Sequence, residues 1–266
     1  MSAHGDDPDL LEELFRSTRR VALEHFHGTV EGLDAHDKGG AAGYDPVTVA
    51  DREIEALLRA GLSSAHPRDR VVGEENGVTG PEDARRTWFV DPIDGTKAFV
   101  TGMTGWGTLV GLVEDGRAVA GWMDQPVLRE TYAGVDGRAT LSRDGVHSSL
   151  QTSSCTRVED AVLYTTHPVM FGEGELRERY DGLGRAVRLQ RFGGDCYAYC
   201  QLAAGRVDLV VESDLKPYDI VALVPVVEAA GGVVTGPDGR QPLDGGTVVA
   251  AATPELAERA WELLGR

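Results

Sequence analysis

A chain of 266 residues, 41% hydrophobic and with a formal net charge of −17 at pH 7, has room for one large domain or two tightly packed halves. That acidic balance opposes nucleic acid, which needs a basic surface, and no apolar run is long enough to span a bilayer. The three cysteines, Cys155, Cys196 and Cys200, are an odd number that suits a reducing cytoplasm, the expected location.

Residues 1–8 have neither a basic start nor an apolar core, so they read as a flexible tail rather than a signal peptide. Leu10, Leu11, Leu14, Val21, Ala22 and Phe26 recur at helical spacing and predict a helix over 9–27, ended by Gly28. Residues 34–46 read as a polar loop and 50–65 as a second amphipathic helix. Strands are expected near 70–73 and 86–91. Two hairpins follow, 107–114 with 117–124 and 130–135 with 138–142, joined by Asp115-Gly116 and Asp136-Gly137. Beyond them the pattern alternates: strands at 161–165, 186–190, 207–211 and 247–252, and helices at 174–182, 195–204, 218–230 and 254–264. An antiparallel α+β half (9–145) and an α/β half (146–266) are implied, with the division near 143–155. Cys196 and Cys200 lie four apart on a predicted helix. No second Cys or His pair completes a zinc site, so they read as core thiols.

Asp91-Pro-Ile-Asp-Gly-Thr96 carries the most chemistry. It sets two carboxylates three residues apart after the apolar Trp88-Phe89-Val90, with a glycine and a hydroxyl behind them. Read as a tight turn, it is either an ordinary surface turn or a cluster of oxygens whose natural partner is a hard divalent cation. Other stretches resolve the choice. Val71-Val72-Gly73-Glu74-Glu75 reads as a buried strand ending in acid. Asp45-Pro46-Val47-Thr48-Val49-Ala50-Asp51 leads into a helix, and Leu215-Lys216-Pro217-Tyr218-Asp219 opens an apolar one closed by Gly231-Gly232.

These four pieces, in this order, resemble the inositol monophosphatase superfamily of metal-dependent, lithium-sensitive phosphatases over residues 9–264. The resemblance implies a five-layer α/β/α/β/α sandwich with the metals between the halves, a small-molecule phosphate ester as substrate, and a homodimer. It places a first ion on Glu74, Asp91 and the backbone carbonyl of Ile93, and a second on Asp91, Asp94 and Asp219. A weaker third lies near Glu74. Oxygen-only ligands suit Mg²⁺, with Mn²⁺ the alternative. Two or three such ions would also reconcile an acidic site with an anionic substrate. Thr96 would orient the attacking water with Asp51 as its partner; the alternative is that both residues cap helices. The N–H groups of Gly95 and Thr96, at a helix start, would donate to phosphate. The chain has only three lysines among 26 basic residues, Lys38, Lys97 and Lys216, and two of them flank expected ligands.

Within the superfamily, four stretches are similar to histidinol-phosphate phosphatases: 91–102, 124–130, 163–171 and 193–199. So is Val211-Glu-Ser-Asp-Leu-Lys-Pro-Tyr-Asp-Ile220, with Tyr218 where simpler inositol phosphatases usually show Trp. The glycine-rich stretch after Lys38 departs from the pattern. Histidinol phosphate carries an ammonium and an imidazole away from its phosphate, so selecting it calls for acceptors there. Asp195 is the candidate by resemblance and reads alternatively as a helix N-cap, while Glu212, ending a Val-rich strand, is the second candidate. Thr165, Thr166 and His167 follow a strand and line the expected entrance. Two other readings stay open: an inositol or sugar phosphatase with the same metals, and a non-catalytic cation-binding protein.

Overall fold

The computed structural model describes residues 7–26, 36–37 and 46–266. Helix α1 (Asp7–Phe26) buries Leu11, Phe15, Ala22 and Phe26. Two short strands pair antiparallel, β1 (His36–Asp37) with β2 (Pro46–Val47), inside the stretch read as loop. The rest of that stretch, including Lys38, lies outside the described residues, as do residues 1–6 of the expected 1–8 tail; its residues 7–8 belong to α1 instead. Helix α2 (Val49–Ala65) buries Ile54, Leu58 and Leu62 on the face turned to α1 and the first sheet.

That sheet is built from β3 (Arg70–Gly73), β4 (Gly77–Thr79), β5 (Arg86–Asp94), β6 (Gly107–Glu114), β7 (Arg117–Gln125), β8 (Glu130–Val135), β9 (Arg138–Arg143) and β10 (Val146–Ser149). Their spatial order is β10-β9-β8-β7-β6-β5-β3-β4. All neighbours are antiparallel except β3 and β5. The short helix α3 (Thr96–Val100) follows β5. Because β10 still pairs with β9, the chain leaves this sheet after Ser149, a few residues beyond the 145/146 division.

The second sheet holds β11 (Val162–Thr165), β12 (Leu189–Phe192), β13 (Leu209–Leu215), β14 (Val233–Thr235) and β15 (Gly246–Ala251), in the order β12-β11-β13-β15-β14. It is mixed: β11 runs parallel to β12 and β13, while β15 is antiparallel to both neighbours. Helices α4 (Glu175–Ala186) and α8 (Pro254–Leu264) cover its outer face. Helices α5 (Asp195–Ala203), α6 (Pro217–Ile220) and α7 (Leu223–Ala229) fill the space between the sheets. With α1 and α2 outside the first sheet, the expected five layers are complete. No described helix is long and apolar enough to cross a membrane.

Three expected elements differ: the strand expected at 186–190 begins only at Leu189, because α4 runs on to Ala186, and two others differ for local reasons. The helix expected over 218–230 is broken into α6 and α7. Pro225 has no N–H to give the carbonyl of residue 221 and its ring crowds that carbonyl, so the helix restarts around 221–222. The strand expected at 207–211 instead runs on to Leu215 through a bulge between Glu212 and Leu215. Glu212 therefore lies within the strand rather than at its end.

The two halves meet over a glycine row. Gly111, Gly121 and Gly134 are cross-strand neighbours on β6, β7 and β8. A Cβ at Gly111 would lie 2.6 Å from the Ala222 nitrogen, and one at Gly121 or Gly134 would overlap the carbonyls of Ala222 or Pro225. Side chains here would push the α6–α7 backbone off the sheet. Glycine lets backbone lie on backbone, which brings Asp219 over the ends of β3 and β5.

Candidate metal centre and substrate pocket

The parallel pair β3 and β5 sets the first carboxylates. Gly73 is in register with Val90, so Glu74 and Asp91, one residue further on, leave the same sheet edge side by side. The Glu74 N–H reaches the Val90 carbonyl at 3.3 Å. The Asp-Pro-Ile-Asp segment is not the turn expected from its composition. It continues β5 through a bulge between Asp91 and Asp94. The bulge re-aims both carboxylates, and Thr108 secures it by donating to the Pro92 carbonyl at 2.8 Å. Gly95 then takes φ 84°, a left-handed conformation glycine adopts without strain, and starts α3.

Asp219, near the start of α6, completes the group: carboxylate oxygens of Asp91, Asp94 and Asp219 all lie within 4.8 Å of one another. Each is oriented by a backbone N–H. Ile93 donates to Asp91 Oδ1 at 3.1 Å, Cys196 to Asp94 Oδ2 at 2.7 Å, and Lys216 to Asp219 Oδ2 at 2.7 Å. The Cys196 bond crosses between the halves and gives the start of α5 a carboxylate partner, a favourable place for negative charge. Burial, then the charges of Glu74, Asp94 and Asp219, pushes Asp91 well above the ordinary carboxylate range. Burial, then Asp195 and Asp219, does the same to Asp94, and burial brings Asp219 to about 7. An all-oxygen set of half-buried and buried acids that raise one another's pKa fits a hard divalent cation, whose charge would reverse the penalty.

Ile93 and Thr96 line the space beside this cluster, and the Asp51 carboxylate is engaged elsewhere. The Ile93 carbonyl accepts from Thr96 Oγ1 at 2.9 Å and keeps a second lone pair for a ligand. Asp51 does not meet Thr96 in a hydrogen bond among the described residues. Its Oδ2 accepts from Thr48 N at 2.8 Å and Thr48 Oγ1 at 2.5 Å, the reciprocal capping arrangement at the start of α2. Its Oδ1 is buried with no partner, and burial raises Asp51 to about 7. Neither residue is itself an N-cap: Thr48 caps α2 and Gly95 precedes α3.

A cavity of about 400 Å³ opens over this cluster, lined from both halves. Glu74, Asp91, Asp94 and Thr96 form one wall, and Asp195, Glu212 and Asp219 belong to the other. Asp195 is not an N-cap; Gly194 holds that position, and Asp195 is the first helical residue, at φ 42°. Its Cβ would lie 3.1 Å from a Cβ placed on Gly95, so the two halves face each other across this gap. Burial, then the neighbouring Glu212, raises Asp195 to about 7, against a smaller opposing effect of Lys97. Glu212 is buried and held from both sides. Its Oε1 accepts from Thr166 N at 2.9 Å and Thr166 Oγ1 at 2.5 Å, and its Oε2 accepts from Tyr199 OH at 2.9 Å. Sequence reasoning did not assign Tyr199 a role; its signal was the i,i+4 spacing from Asp195 on one helix. Thr165 is turned into the core, donating to the Val211 carbonyl at 2.7 Å, and His167 caps a 3₁₀ turn at Pro168–Phe171. Neither lines the cavity, whereas Thr166 does. Lys97 and Lys216 both line it, and Lys216 pairs with Asp214 at 2.7 Å. Cys196 and Cys200 are buried core thiols, and neither belongs to the acidic cluster.

The sequence profile of the inositol monophosphatase family matches residues 10–265, and the chain belongs to that family. It is a metal-dependent phosphomonoesterase of that family, whose members use divalent metal. An inositol monophosphatase from Zymomonas mobilis superposes with a TM-score of 0.86 at 38% identity, covering 100% of both chains. SuhB from Bartonella henselae gives 0.85 at 26% identity, covering 97% of this chain and 98% of that one. Among curated relatives, the chloroplastic bifunctional phosphatase IMPL2 of Arabidopsis thaliana is 42% identical over 82% of this chain and 65% of its own length. A histidinol-phosphatase of Mycobacterium tuberculosis is 39% identical over 77% of this chain and 79% of its own. An inositol-1-monophosphatase of Mesorhizobium japonicum is 32% identical over 90% and 88%.

Proposed function

We propose that this chain is a Mg²⁺-dependent histidinol-phosphate phosphatase serving histidine biosynthesis. The observation that carries the reading is Asp195. A half-buried carboxylate at the cavity wall, raised by burial and by Glu212, has most to gain from a cationic ligand group, and the ammonium of histidinol supplies one. The similarity to the M. tuberculosis histidinol-phosphatase supports it.

In this reading Glu74, Asp91, the Ile93 carbonyl, Asp94 and Asp219 hold two or three Mg²⁺, with Mn²⁺ as a substitute. When bound, such ions neutralise carboxylate and phosphoryl charge and lower the pKa of water. The protein does the rest. The N–H groups of Gly95 and Thr96, at the start of α3, receive phosphate oxygens. Thr96 Oγ1 donates to Ile93 O, which leaves its lone pairs to accept from the attacking water. Asp51 joins this step only if its unpartnered Oδ1 turns to Thr96; in the geometry described it secures α2. Asp195 takes the ammonium, and Glu212, already accepting three hydrogen bonds, shapes the pocket floor beside it. A cytoplasmic homodimer belongs to the same reading, and sedimentation of the purified protein tests the dimer.

Hydrolysis of an inositol phosphate is the second reading, favoured by the likeness to the Z. mobilis enzyme. Comparing kcat/KM for histidinol phosphate and inositol 1-phosphate under saturating Mg²⁺ separates them. A preference for the inositol ester would overturn the first reading.

A further inference from the structure

Helix α2 carries a second buried carboxylate that the chemistry above does not use. Glu55 is 0% exposed, one turn after Asp51 on the same face. Both of its oxygens point at the turn that follows β3. Oε2 accepts from Glu75 N at 2.7 Å, and Oε1 accepts from Asn76 N at 3.0 Å and Asn76 Nδ2 at 3.1 Å. Arg59, one turn further along α2, donates to Glu55 Oε1 at 2.6 Å, to Thr79 Oγ1 at 3.0 Å and to the Gly77 carbonyl. A carboxylate and a guanidinium from one helix thus grip the backbone from 75 to 77 and the Thr79 hydroxyl. The fit is close. A Cβ at Gly73 would stand 2.5 Å from Glu55 Oε1 and 2.8 Å from Arg59 Nη2, which accounts for glycine just before Glu74.

We infer that Glu55, held by Arg59, is a positioning residue for the metal ligand Glu74. Glu74 sits between two fixed points: its own N–H is bound to Val90 O on β5, and the next two N–H groups are bound to Glu55. With both sides pinned, the Glu74 side chain leaves the sheet edge in one direction, beside Asp91. A buried carboxylate is costly to bury unless fully hydrogen-bonded, and here four donors satisfy it. Glutamine in its place would turn an amide N–H₂ toward donors and release part of the turn. Outer groups that orient a ligand typically alter metal affinity by about 10–100-fold when changed.

This inference rests on Glu74 being a ligand, and the test separates the two claims. Mg²⁺ affinity is measured by calorimetry on wild type, Glu74→Gln, Glu55→Gln and, as a stability control, Asp208→Asn. Asp208 is buried in the other half, where it accepts from Val162 N at 2.8 Å. Glu55→Gln should weaken Mg²⁺ binding about ten-fold, with kcat at saturating Mg²⁺ largely retained, whereas Asp208→Asn should lower Tm without moving Mg²⁺ affinity. Unchanged affinity in Glu55→Gln, with Glu74→Gln weakened, overturns the positioning role alone. Unchanged affinity in Glu74→Gln overturns the ligand assignment beneath it. An equal shift in Asp208→Asn reduces Glu55 to a stability residue and also overturns the role. If Glu55→Gln does not fold, hydrogen exchange on wild type decides. The Glu75 and Asn76 amides should exchange more slowly as Mg²⁺ fills the site, and exchange indifferent to Mg²⁺ overturns the inference.

Discussion

Asp195→Asn separates recognition of the substrate from the handling of its phosphate. The substitution keeps the size and shape of the side chain. Asparagine also tolerates the left-handed φ of 42° at this position, so α5 should start as before. The Cys196 N–H that holds Asp94 is a backbone group and is untouched. What disappears is a negative charge at the cavity wall. A hydrogen bond to a charged group contributes roughly 1.5–3 kcal/mol, and 1.4 kcal/mol is tenfold, so kcat/KM for histidinol phosphate should fall by about one to two decades. Glycerol phosphate has no ammonium and should be hydrolysed about as fast as by the wild type. Phosphate release from both esters at saturating Mg²⁺ is the assay. Equal losses on the two esters, or no loss on either, would refute Asp195 as the reader of the cationic end.

Other outcomes follow from the metal cluster and its supports. In metal-free protein, burial holds Asp219 near 7 and raises Asp91 and Asp94, so the folded state binds more protons than the unfolded chain above the ordinary value of about 3.9. That stabilisation is complete below about 4 and is lost as pH rises through about 7. With chelator, Tm should be lower at pH 8 than at pH 5.5. Mg²⁺ should close the gap, and its binding near pH 7 should release protons; a chelated protein equally stable at both pH values would contradict the cluster's electrostatics. Asp91→Asn should lose metal affinity and turnover together. Thr96→Ala should keep Mg²⁺ affinity and lose turnover by about two decades, the low end of what a group acting on the attacking water contributes; an unchanged kcat would remove Thr96 from that step. Gly121→Ala drives a methyl into the Ala222 carbonyl and should cost about 3 kcal/mol, or roughly 6–12 °C in Tm, read by calorimetry.

The layer architecture was readable because apolar periodicity and turn pairs such as Asp115-Gly116 mark elements locally. The acidic cluster of Asp91, Asp94 and Asp219 was readable because these residues occur in short distinctive stretches. The Asp91–Asp94 segment was misread as a turn because its composition matches turns. Its strand pairing depends on β6, more than a dozen residues away, and no local pattern reports that. The short strands β4, β10 and β14 escaped for the same reason: three or four residues carry too little pattern and form only against partners. The break between α6 and α7 has its local mark in Pro225, two residues into α7, whose effect falls a turn upstream of the proline itself. Asp51 and Thr96 were expected to meet, yet the Thr48 cap competes successfully for the Asp51 carboxylate, and spacing alone does not rank two hydrogen-bond partners. Glu55 left no separate signal, since a glutamate four residues after Asp51 on a helix reads as solvated until the turn packed against it is known.

The central claim is that an acidic cavity becomes a phosphatase site for a cationic ester once divalent ions fill it. The most direct measurement is phosphate release from histidinol phosphate and inositol 1-phosphate, with Mg²⁺, with excess chelator, and with Mg²⁺ restored. The account expects no turnover in chelator, full recovery on adding Mg²⁺, and a higher kcat/KM for histidinol phosphate. Turnover that persists in excess chelator would contradict the metal chemistry, and a higher kcat/KM for inositol 1-phosphate would contradict the substrate assignment.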